Sequence, residues 1–181
     1  MNEKIADPYE HLSADEYAAI AEIESTSHIL QLVTRLTAMR FAAISKFTDT
    51  HWVACSVSDD GDFGIDVGDV GLLETSLCNQ MRVDLKALFI SSTSESSRYV
   101  SNPSVQKYGF ESFIAVPVVC PDGRLFGALC AMDPEPKEVN DADLIDTLTI
   151  FSRLIGCVLF NHVGQVRLGY GQELGSPASV K

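Results

Sequence analysis

Two pairs of short apolar runs limit what this chain can fold into more than any other feature of its sequence. Phe113 to Cys120 and Leu125 to Met132 flank Pro121-Asp122-Gly123, where proline presets one turn dihedral and glycine supplies the next. Phe41 to Phe47 and Trp52 to Val57 repeat the arrangement around Thr48-Asp49-Thr50-His51. Each pair reads as a β-hairpin, and short connections join antiparallel neighbours. Leu85 to Ile90 adds one more strand. An antiparallel sheet of five or six strands is therefore expected.

Helical spacing brackets these strands. Ser13-Ala14-Asp15-Glu16 has the form of a capping box, with Tyr17, Ile20 and Ile23 following at helical intervals. Ser25-Thr26-Ser27 can break and recap that helix, and a second one is predicted to run to about Arg40 with Leu30, Val33 and Leu36 on one face. Near the other end Asn140 and Asp141 can cap a long helix whose stripe is Leu144, Leu148, Phe151, Ile155 and Leu159. Its opposite side, Ile145, Ile150, Leu154 and Val158, is also apolar. Such a helix needs cover on two sides: its own sheet on one, and a second copy of the chain as a candidate for the other.

Between the hairpins the signals are weaker. Asp59 to Asp69 is too rich in Gly and Asp for a regular element and reads as a loop. Leu72 to Met81 reads as one short helix with Glu74 in its first turn, and Ser104 to Tyr108 as a helical turn. The order helix, hairpin, helix, strand, loop, hairpin, helix predicts an α+β sandwich with the helices gathered mainly on one face.

Composition narrows the function. With a formal net charge of −12, the surface repels phosphate backbones and anionic lipid, which argues against nucleic-acid and membrane partners. No apolar run approaches the ~20 residues that span a bilayer, and the first residues lack the pattern of a secretory signal, so a cytoplasmic location is expected. The five cysteines, Cys55, Cys78, Cys120, Cys130 and Cys157, include no C-x-x-C and sit mostly in apolar stretches. They read as reduced, buried thiols.

Several phrases carry a family resemblance. Glu74-Thr75-Ser76-Leu77-Cys78, Tyr108-Gly109-Phe110-Glu111-Ser112, Val116-Pro117 and Phe126-Gly127-Ala128-Leu129-Cys130-Ala131-Met132-Asp133 resemble segments of bacterial GAF domains attached to histidine kinases and diguanylate cyclases. The resemblance runs from about Ser27 to Val163. It divides the chain into an extension with a helix (1–26), a GAF domain (27–163) and a flexible tail (164–181).

The resemblance implies an antiparallel sheet with the N- and C-terminal helices on one face and a pocket on the other, lidded by loops and short helices. Its walls would include Trp52, Cys55, Phe63, Glu74, Cys78, Ser92, Tyr108, Phe113 and Cys130. It further implies a non-enzymatic sensor that binds an unknown small molecule or a partner and relays its state through terminal helices in a homodimer. The output partner would be a histidine kinase or a diguanylate cyclase.

Cofactor signatures are missing. No cysteine is followed by His, the context in which bilins are usually attached, and the Asn-Lys of cyclic-nucleotide sites is absent. His28, His51 and His162 stand isolated, which argues against haem, and the cofactor stays unknown. An EF-hand read from Asp60 fails at its fifth position, Gly64, and no metal site is expected. Two alternatives stay open. One is a thiol-dependent reductase of the free methionine sulfoxide type, with Cys78 as nucleophile and Cys120 or Cys130 resolving, although Glu74 a turn earlier would raise the thiol pKa. The other is a degenerate GAF domain that acts only in assembly.

Overall fold

Backbone hydrogen bonds join the apolar runs into one sheet. The computed structural model describes residues 12–14, 16, 20 and 28–169, with side chains through 160. Its sheet has six strands: β1 (Phe41–Phe47), β2 (His51–Asp59), β3 (Val70–Leu72), β4 (Leu88–Ile90), β5 (Ser112–Val119) and β6 (Leu125–Asp133). The spatial order is β3-β2-β1-β6-β5-β4, with every neighbouring pair antiparallel. Both predicted hairpins are present. The turn between β5 and β6 places Gly123 at φ 85°, which a side chain would resist.

Helices α1 (His28–Thr37) and α5 (Ala142–Gly169) cover one face of this sheet. Leu30 and Val33 of α1 and Leu148, Ile155 and Leu159 of α5 close over Ile44, Ile114, Val116 and Leu129. The α5 start is capped by Asp141, whose Oδ1 accepts the Leu144 N–H at 2.8 Å. Asn140 instead donates its side-chain amide to Ser91. Helix α1 stops short of the expected Arg40, because Ala38 adopts a left-handed φ of 53° and turns the chain into β1.

Helix and sheet meet closely where small residues allow it. A Cβ on Gly156 would lie 2.3 Å from the Val119 carbonyl oxygen, so only glycine lets α5 approach the end of β5. Nearby, the Ser152 hydroxyl donates to the Pro117 carbonyl, which lies past the last pair of the short β4 ladder. Proline is tolerated in β5 at such a place because, although β6 pairs with it on one side, no strand continues beside it on the β4 side.

The capping box forms as expected: the Glu16 carboxylate accepts from the Ser13 N–H at 2.9 Å, and the Ser13 hydroxyl accepts from the Glu16 N–H. Glu16 also pairs with Lys46 at 2.7 Å. Ile20 is buried against the helix-covered face. The first eleven residues, Tyr17, Ile23, the Ser25–Ser27 cluster and the tail beyond Gly169 lie outside the described residues.

Elsewhere the structure corrects the expected elements. Leu72 to Met81 is not one helix but two 3-10 turns, Leu73–Thr75 and Leu77–Gln80, followed by α2 (Met81–Asp84). Ser76 separates them: its backbone is extended (φ −85°, ψ 150°), and its hydroxyl accepts the Cys78 N–H at 3.0 Å. The strand expected from Leu85 begins only at Leu88, since Leu85 itself is left-handed and ends α2. Two further elements had no clear sequence signal, the edge strand β3 and the helical turn α3 (Ser97–Val100). Pro103–Tyr108 forms α4, capped by the Asn102 side chain.

Candidate ligand pocket

On the second face, short pieces take the place of long helices. The Asp59–Asp69 loop, the 3-10 turns, α2, α3 and α4 form a lid over Phe41, Ala43, Ala54, Phe113, Cys130 and Met132. The loop is organised by its own carboxylates: Asp59 accepts the N–H groups of Gly61, Phe63 and Gly64, and Asp69 accepts that of Asp66. Among the described residues no group of three or more His, Cys, Asp or Glu side chains is placed to hold a metal ion.

A cavity of about 70 Å³ lies between lid and sheet. The sheet contributes Phe41, Ala43, Ser45, Phe47, Trp52, Ala54, Phe113, Cys130 and Met132; the lid contributes Ile65, Ser76, Cys78, Ser104, Tyr108 and Phe110. The wall is mostly apolar, with hydroxyls and two thiols as its polar groups. Apolar walls with a few convergent polar groups are the usual make-up of a small-molecule site.

Five of the nine residues expected to line a pocket come together here: Trp52, Cys78, Tyr108, Phe113 and Cys130. The other four do not. Cys55 packs into the helix-covered core, because it stands three residues from Trp52 and a strand alternates faces every residue. A β-bulge at Cys55, where Ile44 pairs with Ser56 and Ser45 with Ala54, then returns Val57 to the lid side. Phe63 lies behind the wall, edge-on to Phe41 with ring centroids 5.6 Å apart.

Glu74 lines a separate polar groove with Asn79, Gln80 and Arg98. The break at Ser76 turns it away from the cavity. Ser92 serves a loop: its hydroxyl, the Thr93 hydroxyl and the Ser94 N–H all reach the Glu111 carboxylate. These bonds, the backbone one from Ser94 foremost, hold Glu111 below the usual carboxylate range.

Among the cysteines, Cys130 rather than Cys120 faces Cys78. Cys120 belongs to the helix-covered core, while Cys78 and Cys130 share the cavity wall. A hydrogen bond between the two thiols holds Cys78 below the ordinary thiol range, helped by the Ser76 hydroxyl and opposed by burial. The same bond, with burial and the proximity of Cys78, pushes Cys130 well up.

The rim beside Phe41 and Met132 is fixed by Asp133, whose side chain is fully buried. Its carboxylate accepts from the Arg40 backbone N–H at 3.0 Å, from Arg40 Nε at 3.0 Å and from Nη2 at 2.8 Å. It also accepts from the Glu135 N–H at 3.0 Å. Burial pushes this carboxyl up, but the Arg40 side chain and the two backbone N–H groups outweigh it and hold the group below its usual range.

Sequence reasoning missed most of the sheet wall, although period two was available. Starting from Cys130 it reaches Met132, and from Trp52 it reaches Ala54. Ile65, Ser76, Ser104 and Phe110 carried no such signal, since irregular lid segments have no period.

The model of the GAF domain family matches residues 23–159. The blue-light absorbing form of the PixJ GAF domain from Thermosynechococcus elongatus superimposes with a TM-score of 0.70 at 13% identity, covering 89% of this chain and 96% of that one. A type II free methionine-R-sulfoxide reductase from Thermoplasma acidophilum gives 0.61 at 11%, covering 82% and 96%. The GAF domain of an Acinetobacter phosphoenolpyruvate-protein phosphotransferase gives 0.59 at 14%, covering 87% and 99%. At these identities the likeness is one of fold. No curated protein sequence matches the chain, and no helix among its described residues is long and apolar enough to cross a membrane.

Proposed function

Because this chain belongs to the GAF domain family, we propose that it is a sensory module that works by binding rather than by turnover. A small molecule enters the cavity under the lid, and occupancy favours one packing of the terminal helices over another. The observation that carries this reading is the apolar cavity between sheet and lid. Cys130 on its wall is flanked in β6 by Leu129 and Ala131, which pack under the helices. A shift of β6 on one face is thus felt on the other. A ligand moves such an equilibrium only by its differential affinity for the two states.

Size limits the ligand. A cavity of about 70 Å³ is roughly half the ~150 Å³ in which benzene binds a protein interior. Larger ligands require the lid to move. The same limit weighs against a reductase acting on an amino-acid sulfoxide, which would have to open the lid to reach Cys78.

The relay is proposed to cross a homodimer. Ile150 and Leu154 of α5 are each 55% exposed, and Leu36 of α1 is 49% exposed. The two helices touch each other on the same face of the sheet, so a second copy can cover both. A histidine kinase or a diguanylate cyclase is the proposed recipient of the signal, on the strength of the phrases from Glu74 to Asp133.

The test uses the chain's single tryptophan, which lines the cavity. Native mass spectrometry and an absorbance spectrum of the purified protein come first, followed by titration of small apolar compounds against Trp52 emission. Co-purified mass, or a saturable Trp52 response abolished by filling the cavity through Ala54→Leu, supports the reading. A clean apo mass with no Trp52 response to any compound overturns it and leaves a module that acts only in assembly.

A further inference from the structure

From their shared place on the cavity wall, we propose that Cys78 and Cys130 form a reversible disulfide on exposure to a hydroperoxide, bolting the lid to the sheet. Cys78 sits in the 3-10 turn Leu77–Gln80 of the lid, and Cys130 in the central strand β6. Both are buried, and both line the same small cavity. Both belong to the one buried cluster between lid and sheet, so the lid turn and the strand carry their thiols into the same small space. Cys55 and Cys120 pack on the far side of the sheet, and Cys157 lies exposed on α5.

The cavity selects the oxidant by size. Hydrogen peroxide or a short alkyl hydroperoxide fits a space of about 70 Å³. The Cys78 thiolate attacks the distal peroxide oxygen: an S–O bond forms, the O–O bond breaks, and the alkoxide or hydroxide leaves with a proton as alcohol or water. Cys78 is now a neutral sulfenic acid. Both its negative charge and its hold on the Cys130 proton are gone, which removes two of the causes that push Cys130 up. The Cys130 thiolate then attacks the Cys78 sulfur, an S–S bond forms, and hydroxide departs as water. In sum, two thiols and one hydroperoxide give one disulfide, one alcohol (or water) and one further water. A thiol reductant reverses it by exchange.

The bond would tie a short lid turn covalently to β6 and draw two cavity-wall atoms together. Its formation is independent of the sensory reading; only its effect on ligand affinity rests on that reading.

The experiment treats the full chain with a few equivalents of hydrogen peroxide, then denatures and alkylates it, with Cys157→Ser alongside to remove links between copies. The expected result is a monomer lighter by two hydrogens, a peptide in which Cys78 is joined to Cys130, no label on either, and full recovery of both labels after dithiothreitol. Cys130→Ala should instead accumulate a dimedone-reactive sulfenic acid at Cys78. Label on both Cys78 and Cys130 after oxidation, or an added oxygen on Cys78 with Cys130 still labelled, overturns the proposal. Should the link form while Trp52 titrations are identical before and after oxidation, the disulfide stands and its coupling to the cavity is refuted.

Discussion

The two faces of the sheet are built from the same six strands but closed in different ways. On one, the 28-residue α5 and α1 lay continuous apolar stripes across Ile44, Ile114 and Leu129, and Leu148, Ile155 and Leu159 are all but inaccessible. On the other, cover comes from 3-10 turns, a loop and helices of four to six residues. A long helix presents one regular ridge that fits a sheet closely. Short pieces each end in caps and turns, and cannot close up without leaving space. The contrast separates a closely packed face from one that encloses a cavity.

Deletions of similar size should separate the faces most sharply. Leu148→Ala is expected to cost about 3–5 kcal/mol of unfolding free energy in chemical denaturation, since the helix cannot settle into the hole. Met81→Ala, equally buried but on the lid, should fall near 2 kcal/mol because a four-residue helix can sink toward the cavity. Equal costs would break the comparison.

Asp133→Asn comes next. It leaves a buried site facing Arg40 without its charge, and a loss of about 2–3 kcal/mol is expected, below the usual figure for a broken buried pair because Arg40 is partly exposed. The sign with pH follows from the lowered carboxyl. The stabilisation is fully present above the ordinary Asp value near 4 and fades as pH falls below it toward the lower folded value. The gap between wild type and Asp133→Asn, read from denaturation curves, should therefore narrow with acid below about pH 4. A gap that widened there would contradict the assignment.

Gly156→Ala tests the closeness of the helix-covered face. The added Cβ meets the Val119 carbonyl, and about 1–3 kcal/mol should be lost. Smallest in stability is Ile150→Glu with Leu154→Glu, within roughly 0.5 kcal/mol for exposed sites. For the proposed homodimer, light scattering should nevertheless show the double variant as a monomer, and an oligomeric state unchanged from wild type would remove this surface from the proposed interface.

Legibility in the sequence followed regularity. The hairpins, the stripe Leu148, Ile155 and Leu159, and the capping box Ser13–Glu16 each repeat a local rule over several residues, and each is present in the structure. The region from Asp59 to Tyr108 has no such repetition. A single residue, Ser76, splits the expected helix and carries Glu74 away from Cys78. Cys55, expected on the pocket wall beside Trp52, stands an odd number of residues from it and therefore lies on the other face.

Strand and helix periods are local properties, so the sequence by itself determined the α+β class, the hairpins, the apolar stripe of the last helix and the membership that its phrases point to, whereas Leu36, expected on the same face of α1 as Leu30 and Val33, is 49% exposed. Tertiary structure alone decided which residues meet across the lid: that Cys130 and not Cys120 faces Cys78, that Glu74 leaves the cavity, and that Asp133 receives Arg40. Those pairings join residues as much as ninety-three positions apart. They depend on how irregular segments come to rest on the sheet, which no local period encodes.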